Sequence, residues 1–208
     1  MSHPNLNDER TNMGQIDSIL NKEILTREDI VYLLKTKGED KTRLFEASQK
    51  IKSQYVGKRV YFRGLIEFSN ICSKNCYYCG IRKANQKAER YNLSDEEVLD
   101  AVRFAYKNRY GSVVLQGGEL SSPAFTRRIT GLLRKIREIS EGTLGVTISL
   151  GEQPEEVYRE WLDNGAHRYL LRIEASNREL CQNLLPDDEI HDSDRRLESL
   201  RTLQKVGS

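Results

Sequence analysis

From Lys58 onward the chain changes period, and short β-branched or aromatic runs alternate with amphipathic helical stretches to its end. Val60-Tyr-Phe-Arg-Gly-Leu-Ile-Glu-Phe68 reads as a first strand. Ser94-Asp-Glu-Glu97 places a hydroxyl at an N-cap and a carboxylate three residues on, which opens a helix with Val98, Val102, Ala105 and Tyr106 on one stripe. Gly111 hands over to Ser112-Val-Val-Leu-Gln116, a continuous apolar run of the kind buried on both faces. A second helix is expected from about Ala124 to Ile139, and a third strand over Gly145–Leu150. A third helix starts at Pro154 and passes Val157, Trp161 and Leu162 to Gly165, before a fourth strand over Arg168–Glu174. After an irregular stretch containing Pro186, a fourth helix runs from about Ser193 to Lys205 and closes at Gly207. Such alternation specifies an α/β fold, a parallel sheet with helices outside. A closed eight-stranded barrel takes ~250 residues, and four βα units in 208 residues are half of one.

Residues 1–14 are polar and aperiodic and read as a disordered leader. Residues 15–57 read as helices: Ile16, Ile19 and Leu20 recur at helical spacing, and Thr26-Arg-Glu-Asp29 opens a second helix with Ile30, Leu33 and Leu34 on one face. Gly38 is expected to stop it; a third helix from about Lys41 to Tyr55 turns Leu44, Phe45, Ser48 and Ile51 inward and ends at Gly57. Residues 58–208 form the βα core. Charged residues make up 31% of the chain, but the net charge is only +2 with the signs interspersed, so no basic arm suited to nucleic acid emerges. No run approaches the ~18 apolar residues of a membrane span, and the N-terminus lacks the apolar stretch of a secretory signal. A cytoplasmic protein with neither nucleic acid nor membrane as partner is expected.

In βα architectures, ligands gather at the carboxyl ends of the strands. The first strand leads directly into Phe68-Ser-Asn-Ile-Cys-Ser-Lys-Asn-Cys-Tyr-Tyr-Cys-Gly-Ile-Arg82, which places Cys72, Cys76 and Cys79 in one loop with C-x₃-C-x₂-C spacing. Thiolates are the usual protein ligands of iron–sulfur clusters, and three of them on a [4Fe–4S] cluster leave one iron open to a non-protein ligand. A structural zinc site is the alternative, but it wants a second ligand pair, and His167 and His191 lie far off without ligand spacing. Disulfides are disfavoured in a chain long enough to build its own core.

The second strand delivers Gln116-Gly-Gly-Glu119, the third Ser149-Leu-Gly151 and the fourth Arg172-Ile-Glu174. Gly117 and Gly118 allow close backbone approach to a ligand, and equally make an ordinary tight turn. On one strand, Arg172 and Glu174 share side-chain parity and can face the same interior, as ligand contacts or as a mutual ion pair. Tyr77 and Tyr78 can stack on a ligand or seal the loop from water. Arg82, Lys83 and Arg90 offset cluster charge or lie solvated, and Cys181 reads as a packed thiol.

C-x₃-C-x-(aromatic)-C, with Tyr78 in the aromatic slot, resembles the signature of the radical S-adenosylmethionine (SAM) enzymes. Arg63-Gly-Leu-Ile-Glu-Phe-Ser-Asn70, Tyr78-Cys-Gly-Ile-Arg82, Arg90-Tyr-Asn-Leu93 and Val114-Leu-Gln-Gly-Gly-Glu119 resemble the biotin synthase-like branch and, within it, the [FeFe]-hydrogenase maturation family, from about Arg59 to the last residue. The resemblance implies the N-terminal half of a TIM-type (β/α) barrel preceded by helices, ending where a fifth strand would begin. It implies a [4Fe–4S] cluster on Cys72, Cys76 and Cys79. It also implies SAM held by Gly117, Gly118 and Glu119 at its amino group and by Arg196, or its neighbour Arg195, at its carboxylate. Ser149, Arg172 and Glu174 complete that set, with the backbone at Tyr78 against the adenine. The implied activity is reductive cleavage of SAM to a 5′-deoxyadenosyl radical in hydrogenase cofactor assembly. Alternatives are a methylornithine synthase-like mutase and a non-catalytic, cluster-binding half-barrel. Implied partners are a small-molecule or small iron-complex substrate, an electron donor such as ferredoxin or flavodoxin, and other maturation proteins. A half-barrel leaves strands one and four as open edges, with Val60, Phe62, Tyr169 and Leu171 uncovered and association expected.

Overall fold

The computed structural model describes residues 14–207, so the expected leader lies almost wholly outside the described residues. The chain divides into two compact units between Val60 and Tyr61. In the first, α1 (Gln15–Leu20), α2 (Arg27–Lys35) and α3 (Gly38–Tyr55) follow one another. Thr26 caps α2 in a capping box with Asp29, which is also held by Lys22 at 2.8 Å. Two expectations fail here. Gly38 begins α3 rather than ending α2, at a φ of +54° that suits glycine. Phe45 and Ile51 are 60% and 56% exposed, because no residue of α3 is buried.

The second unit holds β1 (Arg63–Ser69), α4 (Asp95–Lys107), β2 (Ser112–Gly117), α5 (Pro123–Ile139), β3 (Gly145–Ser149), α6 (Glu155–Asp163), β4 (Arg168–Tyr169), α7 (Arg178–Leu184) and α8 (Ser193–Val206). All strand pairs are parallel, in the order β1-β2-β3-β4, as the alternation requires. The helices begin where their caps sit: Ser94 with Glu97 on α4, Ser122 before Pro123 on α5, Asp192 on α8. Gly207, at φ +90°, terminates α8.

One face of the sheet is sealed. Ile66, Phe68, Val113, Leu115, Val146 and Ile148 alternate along β1–β3 and pack against Val98 and Val102 of α4, Ile129, Leu132, Leu133 and Ile136 of α5, and Trp161 of α6. Each buried side chain of this size contributes about 1.5–3 kcal/mol relative to exposure. β2 is thus buried on its helix face only, and Val114 and Gln116 on the other face are half-buried. Leu65, also facing away from the helices, is 58% exposed. An aromatic row crosses the core: Phe68 stacks on Phe125, Phe125 meets the edge of Trp161, and Trp161 stacks on Tyr169, with ring centroids 6.5, 6.4 and 6.2 Å apart. Tyr169 therefore joins the helix-side core instead of lying on an uncovered edge.

Strand boundaries differ from expectation in two places. β1 begins at Arg63, leaving Val60 and Phe62 outside the ladder at 78% and 65% exposure. β4 has two residues rather than the expected seven of Arg168–Glu174, because β3 ends at Ser149 and the chain turns at Gly151 with φ +77°. After one further bond, Leu170 N–H to the Ile148 carbonyl at 2.8 Å, nothing remains to pair with. The β1–β2 register also shifts: Glu67 pairs with Gln116 but Ser69 with Gly117, so Phe68 is the extra residue of a bulge. α7, unanticipated, occupies part of the irregular stretch and buries Cys181. Among the described residues, no helix is long and apolar enough to cross a membrane.

Candidate metal and cofactor site

The loop after β1 carries Cys72, Cys76 and Cys79, all free and partly buried. The Cys72 sulfur accepts two backbone N–H groups, from Lys74 at 3.4 Å and from Glu119 at 3.3 Å. The second of these brings the cysteine loop against the turn that follows β2. Gly118 makes that approach possible: a Cβ there would lie 2.2 Å from the Ile71 carbonyl oxygen and 2.7 Å from the Cβ of Cys72. Its conformation is not what demands glycine, since its φ is not positive. What approaches Gly118 is the cysteine loop, a role distinct from both the ligand contact and the tight turn expected from sequence. Burial, followed by Glu174, Cys72 and Cys79, pushes the Cys76 thiol up to about 11. Among the described residues no three His, Cys, Asp or Glu side chains converge on a single metal ion. Three thiols that each bind a different iron of a cluster need no common point, and N–H donors to sulfur are the groups that tune such clusters. The donor set fits a cluster.

Beside this loop lies a buried charge cluster. Glu119, after β2, and Glu152, after β3, face Lys74 from the cysteine loop and Arg196 from α8. Lys74 Nζ lies 3.1 Å from Glu119 Oε1 and 3.6 Å from Glu152 Oε2. Arg196 Nε lies 2.6 Å from Glu152 Oε1, and its terminal nitrogen is 3.6 Å from Glu119 Oε2. Two cations balance two carboxylates, which is the condition for burying any of them. Burial raises the Glu119 carboxyl above its usual range, and Lys74 and Arg196 oppose that rise. Gly151 lets Glu119 in, since a Cβ there would fall 2.1 Å from Glu119 Oε2. Arg196 is the arginine turned inward; Arg195 has 62% of its side chain in solvent and reaches Glu152 only at 3.6 Å.

The remaining sequence-selected residues divide. Tyr78, half-exposed, donates its hydroxyl to the Glu174 carboxylate, and burial with that carboxylate pushes its phenol well above the ordinary range. Glu174 sits at φ +68°, in the left-handed region, so the strand parity expected to align it with Arg172 does not hold. Arg172 is exposed and forms no ion pair with Glu174; its carbonyl accepts from Arg196 at 3.5 Å. Ser149 ends β3 in register with Gln116, and Gly117 packs against Phe68 and Leu150.

Sequence reasoning missed Lys74, Asn75, Glu152 and His191. Glu152 follows Gly151 by one residue, and Lys74 lies between two of the cysteines, so the strand-end rule could have found both. His191, distant in sequence and set aside there as a zinc ligand, is brought by the fold against the cysteine loop, its Nε2 2.9 Å from the Asn75 nitrogen. Arg90, by sequence a solvated or charge-offsetting group, donates its guanidinium to the carbonyls of Asn70, Ile81, Arg82 and Asn85 at 2.7, 2.8, 2.7 and 3.2 Å. It closes the cysteine loop on itself. Arg90→Ala is expected to lower stability in urea by about 1–2 kcal/mol, the range for charged hydrogen bonds reduced for exposure. Arg90→Lys should not restore it, because an ammonium lacks the planar fork.

A parallel βα sheet bearing a three-thiol loop at its carboxyl edge defines an α/β protein of the TIM-barrel type. Residues 66–208 match the model of the radical SAM superfamily, and the chain belongs to that family. It is 40% identical over 164 residues to the [FeFe] hydrogenase maturase subunit HydE of Thermotoga maritima, covering 79% of this chain and 45% of that protein. It is 27% identical over 199 residues to the biotin synthase of Pelobacter propionicus, covering 92% and 58%. The chain thus spans about half the length of these relatives. Its fold is similar to the crystal structures of HydG, a maturase of the [FeFe]-hydrogenase, with TM-score 0.75 at 23% identity over 92% of this chain and 43% of that one, and of methylornithine synthase, with TM-score 0.71 at 24% identity over 92% and 56%.

Proposed function

We propose that the chain binds a [4Fe–4S] cluster through Cys72, Cys76 and Cys79 with SAM beside it, and serves in [FeFe]-hydrogenase cofactor assembly. The observation that carries this reading is the meeting of the cysteine loop with the Gly117–Glu119 turn through the Glu119 N–H on Cys72 sulfur at 3.3 Å. It puts thiols, a buried carboxylate and an inward arginine at one end of one sheet. When bound and reduced, such a cluster supplies one electron to the sulfonium of SAM. The chain's own residues bind and orient: the Glu119 and Glu174 carboxylates accept from an amino group or ribose hydroxyls, Arg172 and Arg196 take a carboxylate, and Tyr78 screens the thiols from water. Gly117 and Ser149 line the strand ends beside them.

Identity of 40% to a hydrogenase maturase subunit, against 24% to methylornithine synthase, favours hydrogenase assembly over the mutase. The substrate is then a small molecule or small iron complex, the electron donor a ferredoxin or flavodoxin, and other maturation proteins are partners. Anaerobic reconstitution followed by SAM and dithionite tests the reading through 5′-deoxyadenosine; iron uptake without that product leaves cluster binding alone. Arg172→Ala and Glu174→Ala are each expected to weaken SAM binding by about 1.5–3 kcal/mol, measured by equilibrium dialysis on the reconstituted protein. Arg134→Ala, on α5 and bonded to Asn164 at 2.7 Å, should not. Unchanged affinity in both Arg172→Ala and Glu174→Ala refutes the SAM assignment.

A further inference from the structure

The three residues between Cys72 and Cys76 are all held from outside that segment, Ser73 and Lys74 at Glu119 and Lys74 and Asn75 at Ile190 and His191. Ser73 donates both its N–H and its hydroxyl to the Glu119 carbonyl, at 2.9 and 2.8 Å. Lys74 is only 6% exposed; its ammonium donates to the Ile190 carbonyl and pairs with Glu119 and Glu152, while its own carbonyl accepts from Lys83 N–H at 2.8 Å. Asn75 donates its N–H to His191 Nε2 at 2.9 Å and accepts from Ala84 N–H at 2.8 Å. His191, with a side chain 1% exposed, has Nδ1 at 2.6 Å from Asp188 Oδ1. Because Nε2 accepts, the imidazole proton sits on Nδ1 and the ring is neutral.

A loop that acquired its shape only from a bound cluster would have no need of a buried ammonium, which is costly to desolvate without partners. We infer that Lys74 and His191 are positioning residues that hold the Cys72–Cys76 segment in its ligating shape before iron arrives. Lys74 also ties that segment to the carboxylates of Glu119 and Glu152, so the geometry of the thiols and that of the turns after β2 and β3 are set together. The inference rests on the reading of these cysteines as cluster ligands, but its main test does not require iron.

Hydrogen exchange on the metal-free chain should show Ser73 and Asn75 amides protected, as native contacts rather than metal hold them. Lys74→Met should release the Ser73 amide while the β2 amides of Val113–Leu115 keep their protection, and Lys74→Arg should restore part of it. After reconstitution, Lys74→Met should lose iron to a chelator about ten- to hundredfold faster than wild type, the scale of outer-shell changes at metal sites. His191→Leu should release Asn75 alone, and His191→Gln, whose side-chain oxygen can accept, should retain it. Free exchange at Ser73 and Asn75 in the metal-free wild type overturns the inference. Should Lys74→Met also unfold β2, the His191 pair decides, and equal Asn75 protection in His191→Leu and wild type overturns it. Failure of wild type to take up iron, with these amides protected, would instead remove the cluster reading and leave the loop's pre-organisation standing.

Discussion

Cys72→Ala, Cys76→Ala and Cys79→Ala are each expected to abolish stable iron incorporation, whereas Cys181→Ala should take up iron as wild type does. On the proposed four-iron cluster, three protein thiolates would leave one iron open, and the loss of one more thiolate would leave two irons without protein ligands. Cys181 is buried in α7 and behaves as a small apolar side chain. Iron and sulfide analysis after anaerobic reconstitution should give about four irons per chain in wild type and in Cys181→Ala. Tetrahedral zinc in the purified wild type, with no iron uptake, would sink the assignment.

The second large effect comes from a single methyl group. In Gly118→Ala, the new Cβ meets main-chain atoms of Ile71 at 2.2 and 2.6 Å and Cys72 Cβ at 2.7 Å. None of these is the far end of a flexible side chain, so either the cysteine loop or the turn after β2 must move. Overpacking typically destabilises by about 1–3 kcal/mol, and a backbone clash belongs at or above the top of that range. The Glu119 N–H bond to Cys72 sulfur should break as the two segments separate, so iron retention should fall together with stability. Gly131→Ala is the control: nothing lies within 4 Å of its added Cβ, and it sits inside α5. That substitution should stabilise the protein by about 0.5–1 kcal/mol. Chemical denaturation and chelator challenge of both variants decide the matter; a Gly118→Ala protein as stable and iron-retentive as wild type would contradict the close approach.

The parallel sheet and its helices were legible because local signals agreed with tertiary demand. Capping chemistry at Ser94, the apolar alternation of Val113 and Leu115, and glycine at 207 each act over a few residues. The extent of β4 was not legible, because a strand exists only where a partner runs alongside it, and the sequence of Arg168–Glu174 cannot report where β3 stops. The gathering of three cysteines in one loop at the end of β1 was legible by spacing alone. Their supports were not: Lys74 meets Glu119 and Glu152 from segments 45 and 78 residues away in the numbering, and a lysine reads as solvated until its partners are known. Arg90 shows the same limit from the opposite direction, since its acceptors are carbonyl groups, which every residue carries.

The bulge at Phe68 sets the phase of β1 at its exit. Up to Glu67 the side chains alternate strictly between the helix layer and the opposite face. The extra residue then lets both Phe68 and Ser69 be buried in succession, Phe68 in the aromatic row and Ser69 with its hydroxyl on the Tyr91 carbonyl at 3.3 Å. Downstream of that point the direction in which the chain leaves the sheet is offset by one residue from what an unbroken strand would give. The bulge thus works as a fixed offset: it sets the heading of the thiol loop one residue out of phase with the strand that Phe68 anchors in the core.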